Sequence, residues 1–168
     1  YAELLYGVWK GFRELDELDV VAGTPKMVAC EPEARAPLAK SLRRDVPSTS
    51  VEAAPTEAYS IRATVSGYRG VAAIRQSNGF AVTLSDSALI EARDELARNT
   101  GLWQETAGAA SVAALDTLEE YDISGPIVCL ATSSGFKNRD ERYSDVPVVE
   151  PEWKEVAHTL ERKYGIDL

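Results

Sequence analysis

A chain of 168 residues with 45% hydrophobic and 27% charged side chains has the length and composition of an ordinary folded domain, which excludes a disordered or fibrous protein. Its formal net charge is -9 and no basic cluster is longer than Arg43-Arg44, so the phosphate backbone of nucleic acid is repelled. No apolar run approaches the roughly eighteen residues that cross a bilayer, and the expectation is a soluble, cytoplasmic protein without a nucleic-acid or membrane partner.

Leu5, Val8, Phe12 and Leu15 recur at helical spacing and predict a helix from about Ala2 to Leu18, ended by Gly23-Thr24-Pro25. No signal peptide precedes this helix, and Tyr1 reads as an interior cut rather than a natural start. Met27-Val28-Ala29-Cys30 predicts a short buried strand. A helix from Pro37 to Arg43 follows, with proline at its first turn. Residues 45–59 hold two prolines, Pro47 and Pro55, and no periodicity, which marks a surface loop.

Ser66 reads as the N-cap of a helix from Gly67 to Ser77, stopped by Asn78-Gly79. Phe80 to Leu84 predicts a strand, and Ser85-Asp86 caps a helix from Ser87 to Asn99 that ends at Gly101. Ala107 to Tyr121 predicts a further helix with a small apolar face. Ile127-Val128-Cys129-Leu130-Ala131 is the strongest buried-strand signal of the chain, as expected of a parallel strand covered on both faces. A terminal helix runs from Pro151 to Tyr164, with Trp153, Val156, Ala157 and Leu160 on one side. Alternating strands and helices predict an α/β layer with a parallel sheet.

Ligands bind beyond the carboxyl ends of the strands in such sheets, which directs attention to Thr132-Ser133-Ser134-Gly135. Its three hydroxyls can hydrogen-bond a small polar ligand, although a plain serine-rich turn has the same composition. A second candidate is Glu105, at the start of the small-residue helix, where an ordinary helix-start acid is the bland alternative. His158, the single histidine, reads as a surface or packing residue on the terminal helix. Trp9, Trp103 and Trp153 read as core or contact aromatics. Cys30 and Cys129 read as buried reduced thiols without zinc-ligand spacing, in a protein without disulfides.

Five motifs in order carry a resemblance: Trp9-Lys10-Gly11-Phe12, Val28-Ala29-Cys30-Glu31-Pro32-Glu33, Ala81 to Asp86, Gly101-Leu102-Trp103-Gln104-Glu105 with its Ala-rich helix, and Ala131 to Lys137. Nearly the whole chain resembles the C-terminal half of threonine synthase. The resemblance implies an incomplete α/β domain, the parallel-sheet three-layer α/β/α domain of the fold-type II pyridoxal-phosphate (PLP) enzymes, similar to tryptophan synthase β. Residues 1–168 then form a C-terminal segment of the large cofactor-binding domain. The implied cofactor is pyridoxal 5'-phosphate. Thr132 matches the residue whose hydroxyl faces the pyridine nitrogen, Glu105 matches the acid near the ring, and Ser133 adjoins them as a further cofactor-binding residue. A phosphate-cradling glycine turn is implied just before Tyr1, and the Schiff-base lysine far upstream, so no catalytic residue is expected in this chain. None of Lys10, Lys26, Lys40, Lys137, Lys154 or Lys163 stands in the context of that lysine, and Lys137 is placed as a flanking residue.

The resemblance implies a lyase that converts O-phosphohomoserine to threonine and phosphate in threonine biosynthesis, inactive as this segment alone. Its partners would be a small amino-acid substrate and the missing N-terminal part, with homodimerisation left open. Thr106, where a proline is common, and Ser133-Ser134, where a small residue and histidine are common, depart from the threonine synthase pattern. Other PLP-dependent elimination or replacement enzymes, of the amino-acid dehydratase, cysteate synthase or ammonia-lyase type, therefore stand as alternatives. So does a non-catalytic binding or dimerisation module, which would show an uncovered apolar patch on the helix of residues 2–18.

Overall fold

The structure, a computed structural model, describes residues 1–118, 121, 123, 125–137 and 147–167. It divides into two compact units, Tyr1–Lys137 and Asn138–Leu168. In the first, α1 (Glu3–Glu17) leads to β1 (Val28–Pro32) and α2 (Pro37–Arg43), and α3 (Tyr68–Gln76) leads to β2 (Phe80–Leu84) and α4 (Asp86–Thr100). Two short helices follow, α5 (Ala110–Ala113) and α6 (Leu115–Leu118). The second unit contributes α7 (Trp153–Tyr164).

β1 and β2 pair in parallel, with Val28 opposite Phe80 and Pro32 opposite Leu84. Successive side chains of a strand point to opposite faces, and the two faces feed two separate cores. Val28, Cys30, Phe80, Val82 and Leu84 pack with Leu89 and Ala92 of α4 and with Ala110 and Ala113 of α5. Ala29 and Ala81 pack on the other side with Trp9 of α1, Leu38 of α2 and Val71 and Ile74 of α3. Helices thus cover both faces of the parallel pair, the three-layer α/β/α arrangement.

Local chemistry sets most boundaries. Pro37 occupies the first turn of α2, and the Glu31 carboxylate caps that turn by accepting from the Leu38 N–H at 3.0 Å and the Ala39 N–H at 2.8 Å. Burial pushes the Glu31 carboxyl above its usual range, and these two N–H donors oppose the shift. Ser85 caps α4 by accepting from the Ala88 N–H at 3.2 Å, and Gly101 ends it in the left-handed region at φ 74°.

Three expectations need correction. The cap of α3 is Gly67, not Ser66, and no side chain bonds the helix start. Ser66 is buried instead, 2.6 Å from the Ser41 hydroxyl and accepting from the Thr49 N–H at 3.0 Å, so it fastens the irregular 45–67 segment to α2. The helix expected from Ala107 to Tyr121 is broken into a 3-10 turn, Thr106–Ala109, and then α5 and α6, the end of the expected range lying partly outside the described residues.

The third correction concerns residues 127–131, which do not form a strand. Ile127 and Leu130 are half exposed and Val128 is 79% exposed. The run is tied to α5 by one residue, Ser111, whose hydroxyl donates to Leu130 O at 3.1 Å and whose carbonyl accepts from Cys129 Sγ at 3.5 Å. A buried parallel strand needs backbone partners, and the sheet among the described residues has two strands. Its composition fits a strand, but nothing here pairs with it.

Leu4, Phe12, Leu15 and Leu18 of the α1 region are exposed, while Trp9 is 3% exposed. None of the α7 side chains is buried, and Trp153 is exposed. Among the described residues no helix is long and apolar enough to cross a membrane. Leu89 is fully buried in the core between β2, α4 and α5, so Leu89→Ala is expected to cost about 2–5 kcal/mol of stability in urea unfolding followed by far-UV circular dichroism.

Candidate functional site

The two segments singled out by the sequence lie side by side. After α4 the chain runs through Trp103-Gln104-Glu105 into the 3-10 turn Thr106–Ala109, and residues 133–135 pass it antiparallel, with Gln104 bridged to Ser134. The Glu105 N–H donates to Ser133 O at 3.0 Å, and the Gly135 N–H donates to Trp103 O at 3.0 Å. This pairing sets Glu105 beside Ser133, and Thr132 one residue further along.

The approach is close enough to demand glycine. A Cβ on Gly135 would fall 2.0 Å from the Trp103 indole nitrogen. Trp103 in turn lies under the Arg93 guanidinium of α4, 5.4 Å from its ring centroid. Arg93 also donates to Thr106 Oγ1 at 3.2 Å and pairs with Asp94 at 2.8 Å, joining α4 to the start of the 3-10 turn.

Glu105 is 2% exposed, and its backbone carbonyl accepts from the Gly108 and Ala109 N–H groups. No hydrogen-bond donor is aligned on its buried Oε2 or on the buried Oε1 of Gln104. Lys137 Nζ stands 3.3 Å from Glu105 Oε2, an ion pair rather than a directed hydrogen bond. The contact with the Glu105 carboxylate raises the Lys137 ammonium above the usual lysine value, slight desolvation opposes it, and the Glu105 charge and Tyr59 add to it. Thr132 and Ser134 are exposed and Ser133 is half-buried. Ser134 Oγ accepts from the Phe136 N–H at 3.3 Å. The site therefore offers a buried acidic acceptor beside a row of accessible hydroxyls.

Other candidates lie elsewhere. His158 is exposed on α7. Among the described residues no group of three or more His, Cys, Asp or Glu is placed to hold a metal ion. Both cysteines are free. Burial pushes the Cys30 thiol up to about 12, with the charges of Cys129 and Glu31 adding to it, and burial raises Cys129 too.

Residues 2–133 match the family described as "Pyridoxal-phosphate dependent enzyme". The chain belongs to that family. It is 34% identical over 137 residues to a threonine synthase of Methanosarcina acetivorans, an alignment covering 78% of this chain and 34% of the relative. It is 31% identical over 150 residues to the threonine synthase of Methanocaldococcus jannaschii, covering 84% of this chain and 37% of the relative. The chain thus spans about a third of the length of the curated relatives it matches. Among solved structures, a threonine deaminase from T.th. superposes with a TM-score of 0.55 at 28% identity, over 70% of this chain and 37% of that one. Maize serine racemase superposes with a TM-score of 0.65 at 20% identity, over 79% and 39% of the two chains, and shows the shared fold. The PLP enzyme fold is fold-type II, the cofactor of the family is pyridoxal phosphate, and the α/β/α layers described above belong to that fold.

Sequence reasoning placed Glu105, Thr132 and Ser133 in one site, and the PLP-family fold brings their segments together. It missed the contacts of Lys137, because Glu105 and Ser60 are far from it in the chain and no local pattern marks the pairing. It also missed the Arg93–Trp103 stack, although an arginine on α4 and a tryptophan just past its C-terminal glycine were both visible.

Gly135→Ala is expected to separate the paired segments. The amide signals of Glu105 and Gly135 would shift in heteronuclear NMR spectra while those of β1 and β2 stay in place. At pH 8 the raised pKa of Cys30 keeps it protonated, so iodoacetamide is expected to label Cys129 first, and labelling of Cys30 to rise only as the pH approaches 12.

Proposed function

We propose that this chain forms the ring-facing wall of a pyridoxal phosphate site in an enzyme that converts O-phosphohomoserine to threonine and phosphate. The supporting observation is the juxtaposition of Glu105 with the Thr132-Ser133 hydroxyls through the 103–105/133–135 pairing, in a chain similar to threonine synthases over most of its length. Gln104 Oε1, buried and without a hydrogen-bond partner, leaves an acceptor in the same place.

When bound, the cofactor supplies an electron sink for charge developing at the α-carbon of the amino acid. The chain's own groups hold and tune it. The Thr132 hydroxyl is a neutral partner for the pyridine nitrogen, which, unlike a carboxylate, need not keep that nitrogen protonated. Glu105 accepts at the ring edge, and Ser133, whose carbonyl fixes the Glu105 backbone, places a second hydroxyl beside it. Buried on the protein side, Glu105 excludes water from that edge.

The lysine that carries the cofactor belongs to the part of the relatives' length that this chain does not span. So does the glycine turn for its phosphate. The segment alone is then inactive. A second reading, an amino-acid deaminase, is favoured by Thr106 and Ser133-Ser134 and by the likeness to threonine deaminase.

Product analysis of the intact enzyme separates the two. Inorganic phosphate and threonine formed from O-phosphohomoserine support the first reading, whereas ammonia released from threonine or serine without phosphate turnover supports the second. In either case Thr132→Val is expected to lower kcat roughly 2- to 10-fold, the worth of one neutral hydrogen bond, with the melting temperature unchanged.

A further inference from the structure

The Lys137 side chain joins three separate parts of the fold. It ends the 3-10 turn Gly135–Lys137, directly after the hydroxyl run. Its ammonium stands 3.3 Å from Glu105 Oε2 and 3.4 Å from Ser60 Oγ, and lies 5.3 Å from the centroid of the Tyr59 ring. Tyr59 and Ser60 belong to the 3-10 turn Tyr59–Ile61, within the long irregular connection between α2 and α3.

Charge placement makes this contact more than a surface ion pair. Exposed pairs contribute little because water already solvates both partners. Here the lysine side chain is 50% exposed, but the carboxylate side chain is 2% exposed. A carboxylate removed from water is costly to ionise unless a partner compensates the lost hydration. No hydrogen-bond donor is aligned on Glu105 Oε2, and the Glu105 backbone groups are spent on Ser133, Gly108 and Ala109. Arg93 reaches the neighbouring residue, where it donates to Thr106.

We propose that Lys137 is a positioning residue that pairs with the Glu105 carboxylate in its buried seat and ties it to the Tyr59–Ser60 turn. The consequence for catalysis rests on the reading of Glu105 as the acid at the cofactor's ring edge. The ion pair itself does not. Lys137 acts through Glu105, and its amine makes no contribution of its own to bond making. The face of Lys137 away from Glu105 is met by the Tyr59 ring and the Ser60 hydroxyl, so the position suits a long cation on a flexible stem. Arginine would keep the charge there, and methionine would keep only the stem.

The test is a double-mutant comparison on the full chain at pH 7, with an NMR titration beside it. Lys137→Met is expected to lower the melting temperature by about 5 °C, Lys137→Arg to restore most of the loss, and Lys137→Met to cost nothing in a Glu105→Gln background, where no charge needs a partner. In ¹³C-labelled lysine spectra the Lys137 signal is expected to titrate above the usual lysine value, and Glu105→Gln to lower it toward that value. Equal melting losses in both backgrounds, or a Lys137 titration indifferent to Glu105→Gln, would overturn the proposal. Binding of pyridoxal phosphate to the intact enzyme, followed by tryptophan fluorescence, tests the cofactor reading separately. If Thr132→Val and Lys137→Met leave binding unchanged while the two charges remain coupled, the cofactor reading fails and the positioning role stands.

Discussion

Two backbone hydrogen bonds, from the Glu105 N–H to Ser133 O and from the Gly135 N–H to Trp103 O, join segments that lie far apart in the sequence. Everything distinctive about the site depends on them. They are short-range and directional, so they fix both the spacing and the order of residues across the contact. The tight passage of Gly135 past the Trp103 indole leaves no room for a side chain, and the Arg93 guanidinium lies 5.4 Å from the centroid of the same ring. The pairing is therefore clamped from α4 and cannot slide without moving the helix that covers the sheet.

That geometry explains how a fold with few charges in its interior places a carboxylate there. Glu105 stands where the 3-10 turn begins, its backbone fully engaged and its side chain turned away from bulk water. Its carboxylate is met by the Lys137 ammonium at 3.3 Å, and its backbone by Ser133. Such a surface suits a cofactor whose own chemistry is complete and whose orientation and electronics are what a protein must supply. Membership of the PLP enzyme family accounts for the layers and for the cofactor, while Thr106 and Ser133-Ser134 mark where this chain parts from the usual threonine synthase pattern.

Legibility in the sequence tracked the range of the interactions. α2, β2 and the ends of α4 were readable because Pro37, the Phe80–Leu84 run, Ser85 and Gly101 act within a few residues of themselves. Ser66 misled because a serine before a helix looks the same whether it caps the helix or bonds Ser41 across the fold. The 127–131 run misled for the opposite reason. Its composition is that of a buried strand, but strand formation is a property of partners, and the partners here are one side chain and one carbonyl of Ser111. Glu105, Thr132 and Ser133 were singled out through the order of motifs in the chain and their segments lie side by side, whereas the contacts of Lys137 emerged only once the 59–61 turn was seen beside it.

Hydrogen exchange, resolved by residue, tests the pairing most directly. The Glu105 and Gly135 amides are expected to exchange slowly and with a common opening free energy, because each is the donor of one of the two bonds that must break together. Exchange of either amide at the rate of an exposed loop would contradict the account, since Glu105 and Thr132 would then share no site.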